Sequence, residues 1–412
     1  MNFLSNFSGK ERMFLCVTFF FILYNTFPLF EVVVGLHNQI VCIITVVALS
    51  LLYPRALTCK PLLWLYVFLG VLFINSLFGR YIHINGLSNR ALPAMWRIII
   101  EAAWIMPSLL IMSILYLKSN KSFYKIVGYG SLIILLASFI LILPLLTSYS
   151  NILRNAEDQL ESMEIPQGLP SYTLMNSYAM LIPGLCFYIK TRVGKQRALA
   201  IIVTILVFYV ITQTAVSTSI FLSLIIFCVA FVYDYKNKSK TIALSLIIGF
   251  LFLYIYKYDL ILDFINWVRP FFEGTAVEFK LNDLYDSISG GSVTGGSLTV
   301  RADYHETSLQ GFYNNPLIGS GIVGGHSQIL DIMGTVGLLG IIPFIAIVYM
   351  TLRRYLVQVN GNDGKFFVYL VFLVAFVFLY HKGIFGATGW LFLCVIGPCI
   401  VLAIDKRAPQ KV

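Results

Sequence analysis

Residues 326–354 read HSQILDIMGTVGLLGIIPFIAIVYMTLRR. After the polar start His326-Ser327-Gln328, the apolar run continues to Leu352 and stops at Arg353-Arg354. A helix crossing the hydrocarbon core needs roughly 20 predominantly apolar residues, and this run supplies them with one acid, Asp331, near its start. Arginines at one end of an apolar helix mark that end as cytoplasmic. The stretch predicts a membrane helix whose histidine end faces outward.

The same kind of window recurs along the chain, near 13–34, 39–53, 61–79, 95–117, 126–147, 173–189, 198–213, 215–233, 241–256, 328–352, 366–381 and 384–404. The composition agrees: 58% of the 412 residues are hydrophobic and 12% charged, whereas a soluble domain is roughly a quarter charged. The expected fold is an all-α integral membrane protein, one polytopic domain over 1–412 with about twelve transmembrane helices. Alternate loops hold most of the 29 basic residues: Lys10 and Arg12, Arg55 and Lys60, Lys118 to Lys125, Lys190 to Arg197, Lys236 to Lys240, Arg353 to Lys365, and Lys406 to Lys411. That phase predicts cytoplasmic N- and C-termini. The net charge of +10 is then topology; a nucleic-acid partner, which would need a clustered basic face, is not expected.

Two loops on the opposite side are long. Residues 148–172 set Arg154 against Glu157, Asp158, Glu161 and Glu164. Residues 257–327, between the ninth and tenth helices, form the largest polar stretch, far longer than a connector requires, and such loops are usually functional. Its middle, 287–297, is rich in Gly and Ser; Arg301 to Gly311 predicts a short helix that does not span; and Asn314-Asn315-Pro316 with Gly319, Gly321, Gly324 and Gly325 predicts a tight turn ending at His326. None of the seven cysteines falls in an outward loop, so no disulfide is expected, and no residue spacing points to a metal site. All five histidines, His37, His83, His305, His326 and His381, fall at the outward side. Within the helices, Glu101 follows Arg97 by one turn and is read as its ion-pair partner.

The decisive segment is Arg301 to Gly340. It holds His326-Ser327, then nine residues, then Gly337-Leu338-Leu339-Gly340; Arg301, then nine residues, then Gly311; and between them Asn315-Pro316-Leu317-Ile318-Gly319-Ser320-Gly321. This ordered set resembles the signatures of the O-antigen polymerase and O-antigen ligase superfamily, and the helix count and long penultimate outward loop are similar too. The motif likeness covers about forty residues; beyond them the likeness is topology. The resemblance implies a bacterial inner-membrane, multi-pass glycosyltransferase; no acidic metal-binding cluster accompanies the motif, so metal-independent transfer without a cofactor is expected. Its donor and acceptor would be glycans linked through pyrophosphate to a polyprenyl (undecaprenyl) carrier, for O-antigen, capsule or exopolysaccharide. A chain-length regulator and a flippase would be further partners beside the lipid bilayer.

For that chemistry the residue types fit. Negative charge grows on the departing pyrophosphate, and Arg301 is a permanent cation able to grip phosphate oxygens in a bidentate fork. The acceptor hydroxyl must lose a proton, and His326 offers an imidazole, a group whose ordinary pKa lies near ~6.5. These two are the candidate catalytic residues. His305, Arg269, Arg154, Tyr304 and Asp331 are the candidate substrate contacts; for each a plainer role exists, as loop charge, interfacial anchor or, for Asp331, a partner orienting His326. The glycines of 319–325 are expected to turn backbone N–H groups toward the phosphates.

The chain also departs from the superfamily pattern. An arginine common after the Thr-Gln-Thr-like run closing the seventh helix is absent, since Thr212-Gln213-Thr214 is followed by Ala215 and Val216. This favours a repeat-unit polymerase over a ligase that passes the glycan to lipid A–core. A lipid-linked oligosaccharide flippase is the alternative from another class; it would concentrate polar residues and broken helices near the midplane.

Overall fold

A computed structural model describes residues 7–77, 83–84, 94–148, 170–213, 217–233, 260–273, 278, 281–282, 285, 297–381 and 386–405. Its helices are α1 (Gly9–Thr26), α2 (Pro28–Val34), α3 (Asn38–Leu52), α4 (Lys60–Leu77), α5 (Ala94–Lys118), α6 (Lys121–Ser148), α7 (Tyr172–Ser177), α8 (Ile182–Thr191), α9 (Lys195–Gln213), α10 (Ser217–Val232), α11 (Leu260–Val268), α12 (Ser297–Asn314), α13 (Gln328–Gln358), α14 (Asn362–His381), α15 (Gly386–Leu391) and α16 (Gly397–Ile404). Strands β1 (His83–Ile84) and β2 (Ile322–Val323) form a two-residue parallel pair, with His83 opposite Ile322.

The protein is all-α, with enough apolar helix to cross a membrane several times. Among the described residues five helices are long and apolar enough, six if the bent pair α1–α2 counts as one span. Shorter apolar helices occupy Asn38–Leu52, Lys60–Asn75, Ala102–Lys118 and Leu222–Val232. Each expected window is occupied by helix except 241–256, which lies outside the described residues. The helix expected after Arg301 is present as α12. Arg154, most of 148–172, residues 286–296, the Thr214-Ala215-Val216 departure and the side chains of Arg97, Glu101 and Arg301 also lie outside the described residues.

The window 390–404 sits at the centre. Trp390, Leu391 and every residue of the π turn Phe392–Ile396 and of α16 are buried. A helix apolar on all sides is one surrounded by others, and α5, α6, α8 and α14 pack around it. The π turn releases a carbonyl from the regular ladder, and the Tyr355 hydroxyl of α13 donates to Cys394 O there. The ring of Phe344 on α13 then meets Trp390 edge-on at 5.7 Å and Phe68 of α4 at 5.6 Å. These contacts tie the later half of α13 to both α4 and the centre.

Among the described residues, two windows expected to be single helices are interrupted by non-helical backbone. The first, 13–34, bends by 107° between α1 and α2, because Pro28 has no N–H and fits only the first position of a new helix. The carbonyls left at the end of α1 are taken up by hydroxyls: Ser138 donates to Thr26 O at 2.7 Å and Thr388 to Asn25 O at 3.4 Å. The short α2 beyond it buries no residue.

The second break lies inside α13, at Gly337, with φ 58° and ψ −153°. This backbone region is essentially restricted to glycine and costs another residue about 1–3 kcal/mol. The break frees backbone groups, and residues 316–321 satisfy them. Leu338 N donates to Pro316 O at 2.8 Å and Leu339 N to Leu317 O at 3.1 Å, while Gly334 O accepts from Ser320 N at 2.9 Å and Gly321 N at 3.1 Å. A Cβ on Gly337 would also lie 2.5 Å from the Leu317 carbonyl carbon. Gly337→Ala is therefore expected to lower the thermal midpoint of the detergent-solubilised protein, with a loss of about 2 kcal/mol or more. Gly361→Ala, where a Cβ meets nothing within 4 Å, is expected to leave it unchanged; equal midpoints would contradict the role of the break.

Candidate functional site

The segments that stand apart as Arg301–Gly311, Asn315–Gly321 and His326–Gly340 in sequence pack into one unit in the fold. α12 lies along α13, and β2 sits against both. The approach is close because backbone meets backbone. A Cβ on Gly311 would come within 2.4 Å of Ile322 O, and one on Gly334 within 2.5 Å of the same oxygen. Gly324 is tighter still: a Cβ there would be 2.0 Å from Tyr304 O. That contact presses the turn entering His326 directly onto α12. From the other side Asn75 Nδ2, at the end of α4, donates to Ile318 O at 3.4 Å.

A buried polar cluster holds the turn. Ser308 is 1% exposed and Asp331 4%. Ser308 Oγ donates to Asp331 Oδ1 at 2.7 Å and accepts from Gly324 N at 2.8 Å; Asp331 Oδ1 also accepts from Gly325 N at 3.2 Å. Ser327 caps α13 by accepting from Leu330 N, and its own carbonyl accepts from Asp331 N at 2.7 Å. Asp331 thus lies in the first helical turn, where the helix dipole favours a carboxylate. His326, the residue just before the cap, is half-buried, and its ring lies 4.7 Å from that of Tyr304 at a 36° tilt.

The expected site residues divide accordingly. His326, Tyr304 and Asp331 come together. Arg301 occupies the position one turn before Tyr304 and His305 on α12. His305 turns toward α14, its ring 6.0 Å from Tyr380. Arg269 stands in a separate segment, the 3₁₀ turn Arg269–Phe272 that follows α11, beside exposed Trp267 and Phe271. Arg154 lies outside the described residues.

Asp331 is buried rather than turned to the surface, and its Oδ1 is engaged by Ser308 and Gly325. The glycine turn is not a row of free amide donors. Gly319 N is bonded to Asn315 O, Ser320 N and Gly321 N to Gly334 O, Gly324 N to Ser308 Oγ, and Gly325 N to Asp331 Oδ1. Ser308 and the β1 strand were not anticipated. A serine within a helix carries no signal in one sequence, and a two-residue pairing is too short to show periodicity. The one available clue was the density of glycines facing Ser308 and Ile322.

Chemically, the unit presents a half-buried imidazole on a fixed backbone, with an aromatic ring along one side and the Arg301 position one turn away. Among the described residues no three His, Cys, Asp or Glu side chains converge as a metal-binding group. No protein-family model and no characterised protein matches the sequence. Tyr304→Ala is expected to speed carbethoxylation of His326 by diethyl pyrocarbonate, read by peptide mass spectrometry. Tyr304→Phe, which keeps the ring, should leave the rate as in the unmodified protein. Equal rates in all three proteins would show that the ring does not cover the imidazole.

Proposed function

We propose that this chain is a membrane glycosyltransferase that polymerises polyprenyl-pyrophosphate-linked oligosaccharide repeat units at the outer face of a bacterial inner membrane. It would cross that membrane about twelve times, with both termini cytoplasmic and 257–327 external. The observation that carries the reading is the packing of the three motif segments into one unit that ends at half-buried His326. In the reaction, a hydroxyl at the non-reducing end of the acceptor unit attacks the anomeric carbon of the donor glycan. The bond from that carbon to the pyrophosphate oxygen breaks, and polyprenyl pyrophosphate leaves with the electron pair. His326 takes the hydroxyl proton, and Arg301 offsets the charge gathering on the leaving group, a contribution that can reach several kcal/mol when preorganised.

The polymerase is favoured over the ligase by the absence of an arginine after Thr214. A flippase is disfavoured because the motif residues gather on α12 and at the head of α13.

His326→Ala is expected to lower the polymerisation rate about 10²–10⁴-fold, and Arg301→Ala to shorten or abolish surface polysaccharide on a gel. Unchanged length and amount in both variants would overturn the reading. A strain lacking the gene should display single-repeat surface glycan; full-length glycan held on the carrier would identify a ligase instead. For the topology, alkaline phosphatase fused after residue 270 is expected to be active, and a fluorescent protein fused at residue 360 to fluoresce. The reverse pattern would invert the orientation.

A further inference from the structure

We infer that Ser308 and Asp331 are positioning residues for His326, forming a buried latch that sets the backbone from Gly324 to Ser327. The inference rests on the reading of His326 as the proton acceptor. Three observations converge on it. Ser308 comes from α12 and Asp331 from α13, so their 2.7 Å hydrogen bond joins the two helices rather than closing a local turn. Both side chains are buried, so water does not replace the bond at equal cost; an unsatisfied buried polar group costs about 1–3 kcal/mol. Each partner also holds an amide immediately before His326: Ser308 the N–H of Gly324 and Asp331 that of Gly325. Two consecutive N–H groups are therefore pinned by two different elements, and the next residue is the imidazole.

The hydroxyl is suited to its place. It has one proton to give, directed to the carboxylate at 2.7 Å with the Tyr304 carbonyl a second acceptor at 3.2 Å, and lone pairs to receive the Gly324 amide. Asp331 is needed there as an acceptor of two hydrogen bonds. An asparagine oxygen can accept both, so the latch predicts that Asp331→Asn retains function and Asp331→Leu does not. A role for the negative charge itself predicts that Asn is as damaging as Leu.

The experiment uses the full chain in lipid nanodiscs, with lipid-linked repeat units extracted from a strain lacking the gene. Ser308→Ala and Asp331→Leu are expected to lower kcat on the order of 10²-fold, the cost of a small misplacement of a reacting group, with KM little changed. Asp331→Asn is expected to stay near the parent rate. If Ser308→Ala and Asp331→Leu turn over normally while His326→Ala is inactive, the latch is overturned and the proposed function stands. If His326→Ala is itself active, the proposed function fails first. A measurement on the unaltered protein guards against variants that do not fold: the amides of Gly324 and Gly325 should exchange slowly with deuterium although they lie in a turn. Fast exchange at both would overturn the latch.

Discussion

The structure turns on a backbone accounting problem inside α13. Within apolar surroundings each N–H and C=O must find a partner in the protein, and a helix broken at Gly337 leaves several without one. Forming a hydrogen bond contributes only about 0.5–1.5 kcal/mol, whereas leaving a buried group orphaned costs about 1–3 kcal/mol. The segment from Pro316 to Gly321 is therefore required more for what its absence would cost than for what its bonds add. It bonds on both sides of the break, to Gly334 before it and to Leu338 and Leu339 after it. Once this segment is seated, α12 on one side of it and β2 on the other have little freedom, and His326 follows within five residues of Gly321.

This changes the meaning of the glycine spacing. Glycines in a loop beside a proposed phosphate site invite the idea that their amides hold the phosphate. Here those amides are bonded within the protein, and glycine is present at Gly324 because the Tyr304 carbonyl leaves no room for a side chain. The first glycine of Gly337-Leu338-Leu339-Gly340 likewise marks where a helix is broken to receive a loop. The pattern records how two backbones meet. At this turn a phosphate would have to be met by side chains, and in the proposed reaction Arg301 carries that electrostatic work.

The apolar windows were legible because a helix facing the protein interior on one side and lipid on the other is apolar all round over a long run. The breaks were not, although Pro28 and Gly337 stood in plain view, since a membrane helix tolerates both when neighbours satisfy the freed groups. Those neighbours, Ser138 and Thr388 for α1 and Pro316 to Gly321 for α13, are remote in sequence or in unpatterned loop. At the candidate site, residue type and spacing pick out His326 and Tyr304, whose rings the fold brings to 4.7 Å. Ser308 was not legible, because its importance lies in one hydrogen bond across two helices. Asp331 was noticed as an acid just inside a membrane helix, but its partners were invisible without the fold.

The distribution of polar groups bears on which class of protein this is. Several buried hydroxyls within the helices are turned back onto their own backbone: Thr45 to Val41 O, Ser131 to Val127 O, Thr204 to Ala200 O and Thr351 to Ile347 O. These four satisfy themselves, whereas the hydroxyls of Thr18, Ser108, Ser113 and Ser223 are buried without a hydrogen-bond partner among the described residues. Asn176 is engaged, by Ser219. A transporter needs polar groups and freed backbone ends converging on a central binding site. In α13 the break that would expose such ends is filled by Pro316–Gly321, and in α1 the freed carbonyls accept from Ser138 and Thr388. The backbone irregularity of α13 is thus used to anchor a polar head of the molecule, built from α12, β2 and the first turn of α13. That anchored head is where the half-buried imidazole of the proposed transfer is held.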